Sequence, residues 1–163
     1  LATLKQEISA IENDYEQVQA AIRRASPRYA ALTEPPVLKL DDIQQQLGAD
    51  TLLLEYSLGD ERSFLWVVGQ NSLASYELPK REQIEQTATD VYRMLTVRSR
   101  NVAGETPRQR QARIAQTEAQ LPAAARQLSQ ILLAPAAAQL GNKRLVIVAD
   151  GALQYIPFAM LPD

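Results

Sequence analysis

Two residue types that carry much of protein chemistry are missing from this chain: its 163 residues include no cysteine and no histidine. Their absence excludes disulfide bonds and zinc sites built on Cys or His ligands. It also excludes Ser-His-Asp and Cys-His catalysis, and with them most general-base chemistry near neutral pH. Any hydrolytic mechanism within the chain would have to use carboxylates, Lys or Tyr. The sequence therefore assigns no catalytic, cofactor-binding or metal-binding residue, and we expect no cofactor.

Long apolar runs and targeting signals are missing as well. No stretch approaches the roughly 20 apolar residues that a membrane span requires, and the first residues do not form a signal peptide. The chain starts at Leu1 rather than at Met, which indicates an excised or processed piece. We expect no membrane contact, and the cytoplasm is the default location for a chain that carries no signal either way.

Charge is distributed unevenly along the chain, although the net charge is only −2. Residues 1–66 have an acidic excess, whereas the stretch from Arg93 to Arg113 contains six arginines and one acid, Glu105. This basic stretch is either a docking patch for an acidic protein partner or a set of solvated helix faces beside a loop, and we favour the second. Only Tyr92 is near enough for base stacking, so we do not expect nucleic-acid binding.

Residues 1–34 are predicted to form an amphipathic helix. Apolar residues recur there in steps of three and four: Leu1, Leu4, Ile8, Ile11, Tyr15, Val18 and Ile22. The helix should end near Ser26-Pro27, because the residue before proline is driven out of the helical region. A stripe this narrow needs a partner helix. We favour a helix of the same domain, since three heptads are short for an autonomous coiled coil, and homo-oligomerisation through Leu1–Ile22 is the alternative.

A larger domain is predicted over residues 35–163, beginning at the Pro35-Pro36 linker. It opens with three strand-like runs separated by turn signals, which predict an antiparallel meander over residues 51–79. The runs are TLLLEYS (51–57), SFLWVV (63–68) and SLASYEL (72–78). The only tryptophan, Trp66, is expected in the core.

Helices are predicted over residues 81–140. The second long helix should begin with Thr106 as its N-cap and Pro107 at its first position, where the missing N–H of proline costs nothing. Pro122 lies within its apolar pattern and predicts a kink or a break.

The last predicted strand, residues 144–149, differs from the others because its apolar residues do not alternate with polar ones. Such a run is typical of a strand that is covered on both faces. The chain has too few other strands to complete a large sheet. We therefore expect that it is part of a larger fold.

Asp150-Gly151 follows this strand and has two interpretations. Ligands often bind beyond the carboxyl ends of strands, so Asp150 could belong to a metal or nucleotide site that recruits Glu55, Asp60 or Asp90. The sequence has no glycine-rich phosphate loop, and Asp-Gly is ordinary turn chemistry. We favour the turn.

The C-terminal residues also resemble a known family. The pattern Asp150-Gly151-x-Leu153-x-x-Ile156-Pro157-Phe158-Ala159-x-Leu161 is similar to the N-terminal portion of CHAT domains, caspase-like domains that commonly follow tetratricopeptide repeats. Further similar segments occur upstream in the order that the family uses: Ser26-Pro27-Arg28-Tyr29, Leu53-Leu54-Glu55-Tyr56, Leu65-Trp66-Val67-Val68 and Tyr76-x-Leu78-Pro79. The resemblance covers most of the chain from about residue 26 onward.

The resemblance implies an α+β fold in which long helices pack on a small antiparallel meander, with one buried C-terminal strand, as a partial caspase/separase-like CHAT fold. For the full-length parent it implies the activity of a clan CD cysteine protease, or an inactive homologue of one. The catalytic dyad of these proteases consists of a His in a His-Gly motif and a Cys after a Ser-Ala pair. Both motifs lie downstream of the Pro157-Phe158 segment in the family. No catalytic residue therefore carries over to this chain, and we expect no peptidase activity from it.

By resemblance, the chain is a scaffold and docking portion. Its partners would be the remainder of its own CHAT domain and the preceding repeats. The alternative is a self-associating helical interaction module with no link to proteases. The final residue, Asp163, is either a boundary of the piece or a processing site, since some relatives of caspases cleave after Asp.

Overall fold

A computed structural model describes residues 37–162 without a gap. N-terminal to them it describes residues 8, 10, 11, 14, 15, 17, 18, 20–22, 25 and 26. The chain divides into two compact units, Leu1–Leu40 and Asp41–Asp163. Several residues used in the sequence predictions lie outside the described ones: Leu1, Leu4, Pro27-Arg28-Tyr29, Pro35-Pro36 and Asp163.

The described residues of the first unit from 8 to 25 are helical. Ser26, which is no longer helical, donates its N–H to the Ile22 carbonyl over 2.9 Å, so the helix ends where the following proline predicts. The large apolar side chains of its stripe are exposed: Ile8, Ile11, Tyr15, Val18 and Ile22.

Within residues 37–162, the second unit is built on a four-stranded mixed sheet. Its strands are β1 (Thr51–Ser57), β2 (Ser63–Gly69), β3 (Ser72–Leu78) and β4 (Arg144–Val148). The order across the sheet is β3-β2-β1-β4. β1–β2 and β2–β3 are antiparallel and form the predicted meander, whereas β4 runs parallel to β1 at the edge.

Within residues 37–162 this unit has four α-helices, and the two long ones lie in the range 81–140, where helices are predicted. The four helices are α1 (Leu40–Gln44), α2 (Arg81–Leu95), α3 (Pro107–Leu132) and α4 (Ala137–Leu140), with 3-10 turns at Val97–Ser99, Ala134–Ala136, Gly151–Tyr155 and Phe158–Met160. α3 continues through Pro122 and is not broken there. Because Pro122 has no N–H, the carbonyl of Glu118 loses its helical hydrogen bond, and Glu118 is itself partly exposed to solvent. None of the described helices combines the length and the apolar character needed to cross a membrane.

The core lies between one face of the sheet and the helix pair α2–α3. Alternate residues of the strands enter it, including Leu52 and Leu54 of β1 and Leu65 of β2, and they meet the apolar faces of the two helices. Tyr56 also enters this core, and its hydroxyl donates to the Leu132 carbonyl over 3.1 Å. Burial raises the pKa of the Tyr56 phenol, so it remains a neutral donor. The predicted α+β class is confirmed.

Burial of two segments differs from the sequence prediction. Trp66 was expected in the core but is 38% exposed, because Leu65 and Val67 face the helices and the residue between them faces the other way. β4 was expected to be covered on both faces. Its Val146 and Val148 are 41% and 44% exposed, because α2 and α3 lie against the other face of the sheet.

The capping box at the start of α3 should contribute measurably to stability. The Gln109 N–H donates to Thr106 Oγ1 over 3.3 Å, and the Thr106 N–H donates to Gln109 Oε1 over 2.9 Å. We expect Thr106→Ala to lower the free energy of unfolding by about 0.5–2 kcal/mol in urea titrations. The matched control is Thr87→Ala within α2, where an exposed hydroxyl only donates to the Gln83 carbonyl, and we expect a change within about 0.5 kcal/mol. Equal losses in the two variants would contradict the role of the cap.

Candidate functional site

The Asp150-Gly151 turn is held by contacts from two distant parts of the second unit. Asp150 Oδ2 accepts hydrogen bonds from the Leu58 N–H at 2.9 Å and from Arg81 Nη2 at 3.2 Å. The same Arg81 nitrogen donates to the Leu58 carbonyl. The carboxylate therefore connects the end of β4 to the β1–β2 turn and to the first residue of α2. We call Asp150, Arg81, Leu58 and Glu85 the clasp.

Glu85 completes the clasp, and its position explains why residue 151 is a glycine. Its Oε1 lies 3.2 Å from Arg81 Nη1 and accepts the Ala152 N–H over 3.4 Å. Gly151 adopts φ +54°, a left-handed conformation, and a Cβ built on it would lie 2.2 Å from Glu85 Oε1. Only glycine fits this turn without displacing the carboxylate.

The acids that could form a metal site with Asp150 are not brought together by the fold. Glu55 and Asp60 are exposed on β1 and in the β1–β2 turn, and Asp90 accepts hydrogen bonds from Gln86 on the surface of α2. Among the residues that the structure describes, no cluster of three or more His, Cys, Asp or Glu side chains could hold a metal ion. The geometry of Asp150 is that of a structural turn.

The sheet face opposite α2 and α3 carries exposed apolar side chains. Four of them, which we call the open face, are Trp66, Leu73, Val146 and Val148. The strand register places Glu55 between Val148 and Trp66, and Leu53 beside Val146. Leu73 is 49% exposed. These exposed apolar groups belong to β3, β2 and β4, and β1 lies between the last two. An exposed apolar patch of this kind is typical of an interaction surface.

β4 also has a free edge. Within residues 37–162 its only strand partner is β1, so the backbone groups on its other side face no strand. An apolar edge strand without proline or inward-pointing charge is a template for pairing with a further strand. The open face and the free edge meet at β4.

The basic stretch is largely committed to internal contacts. Arg113 binds both carboxylate oxygens of Glu105 at 2.7 Å and also donates to the Val97 carbonyl. Hydrogen bonds from this guanidinium lower the pKa of Glu105. The remaining contacts are Arg98 with Glu118, Arg110 with the Arg98 carbonyl, and Arg93 with Asp90 at 3.6 Å. Only Arg100 and Arg108 of the six side chains make no hydrogen bond or ion pair with described residues, so most of the stretch closes the loop before α3.

The comparison with protein families concerns the C-terminal segment. Residues 122–163 match the model of the CHAT domain. The resemblance to CHAT domains is confirmed. The matched CHAT segment contains the second half of α3, α4, β4, Asp150 of the clasp and the adjacent Gly151, whereas β1 and β2 lie outside it. No curated protein matches the chain.

Sequence reasoning found the turn of the CHAT segment but not its partners. Arg81 and Glu85 lie more than 60 positions before Asp150. In the sequence pattern both look like ordinary charged residues of an amphipathic helix. The signal that could have pointed to them is weak: an i, i+4 Arg-Glu pair at the start of a helix is common for local reasons. The open face was missed because the last strand was expected to be covered.

The geometry of the clasp requires a glycine at residue 151. We expect Gly151→Ala to destabilise the protein by about 1–3 kcal/mol, because it adds left-handed strain and displaces Glu85 from Arg81 and the Ala152 N–H. Gly104→Ala is the control, since Gly104 has φ +76° with nothing within 4 Å of the added Cβ, and it reports strain alone.

The double variant Gly151→Ala/Glu85→Ala separates the two causes. Removing the Glu85 carboxylate relieves the contact, so urea unfolding should show a combined loss smaller than the sum of the single losses. Full additivity, or equal losses for Gly151→Ala and Gly104→Ala, would show that the clasp does not constrain the turn.

Proposed function

We propose that this chain is the non-catalytic scaffold and docking portion of a CHAT-type clan CD cysteine protease. Two observations support the proposal. Residues 122–163 match the CHAT domain. The chain also contains neither of the two residue types, His and Cys, that form the dyad of such proteases.

The observation that carries the proposal is the exposed state of β4. Val146 and Val148 belong to the CHAT segment, lie on the open face, and stand on the edge strand of the sheet. A further strand added to this edge would satisfy its backbone groups, and a layer over the open face would remove the valines and Trp66 from water. We assign both roles to the remainder of the CHAT domain, which would also supply the reactive residues.

In this proposal, the chain provides a pre-formed half of the domain. The core between the sheet and α2–α3 fixes the position of β4, and the clasp fixes the direction in which the chain leaves it. Tetratricopeptide-type repeats would precede the chain, and an acidic partner would meet the basic stretch at Arg100 and Arg108. A cytoplasmic location belongs to the same proposal.

The test compares this chain with its parent polypeptide, extended beyond residue 163 by its natural sequence. We expect Val148→Glu to lower the midpoint of thermal unfolding of the extended protein by about 5 °C or more, because the carboxylate would be buried there. In the 163-residue chain the same change should have little effect, since Val148 is exposed. Gln111→Glu, at an exposed position of α3 away from the open face, is the control for added charge.

Peptidase assays complete this comparison. Cleavage of peptides is expected only from the extended protein. The proposal fails if the 163-residue chain cleaves peptides by itself, if Val148→Glu acts equally in both proteins, or if no His-Gly motif and Cys follow residue 163.

A second function is favoured by the first unit. Ile11 is 68% exposed, and the other large apolar side chains that the structure describes on this helix, including Val18, are exposed as well. Such a stripe is typical of a helix that associates with a copy of itself. The chain would then be a self-associating interaction module.

Light scattering with size-exclusion chromatography tests this second function. Self-association predicts a mass above that of the monomer at high protein concentration, and Ile11→Lys should return it to the monomer mass by placing a charge in the apolar contact. Gln17→Lys, an exposed position off the stripe, should leave the mass unchanged. A monomer mass for the unmodified chain at all concentrations would exclude this function.

A further inference from the structure

A cavity of about 440 Å³ lies at the C-terminal end of α3, away from the open face and the clasp. The end of α3, the helix α4 and Pro162 form its walls. All of its lining residues fall within the CHAT segment. It is independent of the proposed function, because none of these residues belongs to β4.

The cavity has an apolar floor and a polar rim. Leu133, Ala137 and Leu140 provide aliphatic surface, and Arg126 and Asn142 stand at the rim. Its lining includes one cation and no acid. The site therefore favours a ligand that combines an aliphatic group with a negative charge.

One wall of the cavity is held by a hydrogen bond from a buried serine to a partly buried carbonyl. Ser129 is only 6% exposed, and its hydroxyl donates to the carbonyl of Pro162, which lies 33 positions later in the chain. This contact holds the C-terminal segment against α3. The cavity is thus a property of the folded unit and not a gap beside a loose segment.

The polar side chains at the rim have unused bonding capacity. Arg126, Gln130 and Asn142 make no hydrogen bond or ion pair with the described residues, although each lines the cavity. The two amide side chains each offer a donor and an acceptor, which match the N–H and C=O of a peptide backbone. The guanidinium of Arg126 offers paired donors to a carboxylate.

We propose that this cavity binds a peptide segment of a partner protein in which an acidic side chain stands next to an aliphatic one. The aliphatic side chain contacts Leu133 and Leu140, the carboxylate binds Arg126, and Gln130 and Asn142 bind the peptide backbone. The volume lies near the lower end of the roughly 300–1,000 Å³ that ligand pockets occupy, so it accepts one or two side chains rather than a whole helix.

Nuclear magnetic resonance titration of the ¹⁵N-labelled chain tests the proposal. The probe is an acetylated and amidated pentapeptide of alternating leucine and glutamate, and the comparison peptide has glutamine at each glutamate. We expect the first peptide to shift the backbone amides of Leu133, Ala137 and Gly141. The glutamine peptide should bind at least about tenfold more weakly, which corresponds to about 1.4 kcal/mol.

Two pairs of variants provide matched controls. Ala137 and Ala138 are adjacent exposed residues of α4, but only Ala137 lines the cavity, so Ala137→Trp should abolish the shifts and Ala138→Trp should preserve them within twofold in affinity. Arg126→Gln should weaken binding of the glutamate peptide about tenfold, whereas Arg108→Gln, an exposed arginine elsewhere on α3, should not.

Several outcomes would overturn the proposal. These are the absence of shifts at millimolar glutamate peptide, equal binding of the two peptides, and equal effects of the two tryptophan variants. Tight binding of dodecanoate at the same amides without peptide binding would assign the cavity to a small amphipathic carboxylate instead. If Ala137→Trp does not fold, the Arg126→Gln and Arg108→Gln pair decides the question.

Discussion

The burial of one sheet face against α2 and α3 is the interaction on which the rest of the second unit depends. Leu54, Leu65 and Leu128 are completely buried between these layers. Burial of each large aliphatic side chain contributes roughly 1.5–3 kcal/mol, so the many side chains buried in this layer are a large source of stability for the unit. β4, the clasp and the cavity at the end of α3 are all positioned by elements that this core holds in place.

The same layer explains why the two faces of the sheet differ in exposure. A sheet needs cover on each face that carries apolar residues, and α2 and α3 cover one of them. On the opposite face Val68 is buried, but the valines of β4 are not. The inward residues of β4, Leu145 and Ile147, are half-buried, whereas Val146 and Val148 are exposed. Within residues 37–162, the continuous apolar run of β4 is therefore buried on one side only.

Local features of the fold could be predicted from the sequence because they depend on neighbouring residues. The meander strands follow from alternation and turn residues, and the start of α3 follows from Thr106 and Pro107, whose side-chain chemistry acts within one helical turn. The exposure of Trp66 could not be predicted. It depends on which strand face the helices cover, and a single tryptophan has similar propensity for either face.

The candidate site also combines a local feature that the sequence predicts with contacts between distant residues that it does not predict. Asp150-Gly151 was recognisable as a turn, but the contacts that give it a fixed geometry come from Arg81 and Glu85, far away in the sequence. The cavity beside Ala137 gave no signal at all, because alanine-rich helical sequence looks the same whether or not a groove lies next to it. The basic stretch was visible as charge, whereas its use in closing a loop required the positions of Glu105 and the Val97 carbonyl.

The parallel pairing of β4 with β1 has a consequence for how the protein assembles. Residue 144 pairs with residue 51, whereas the meander pairs residues that lie close together in the chain. Contacts between distant residues form slowly because a long loop must close first. During synthesis, the meander and α2 can fold while β4 is still inside the ribosome. The strand that carries the exposed valines is then the last to join, at the moment when any following residues begin to emerge.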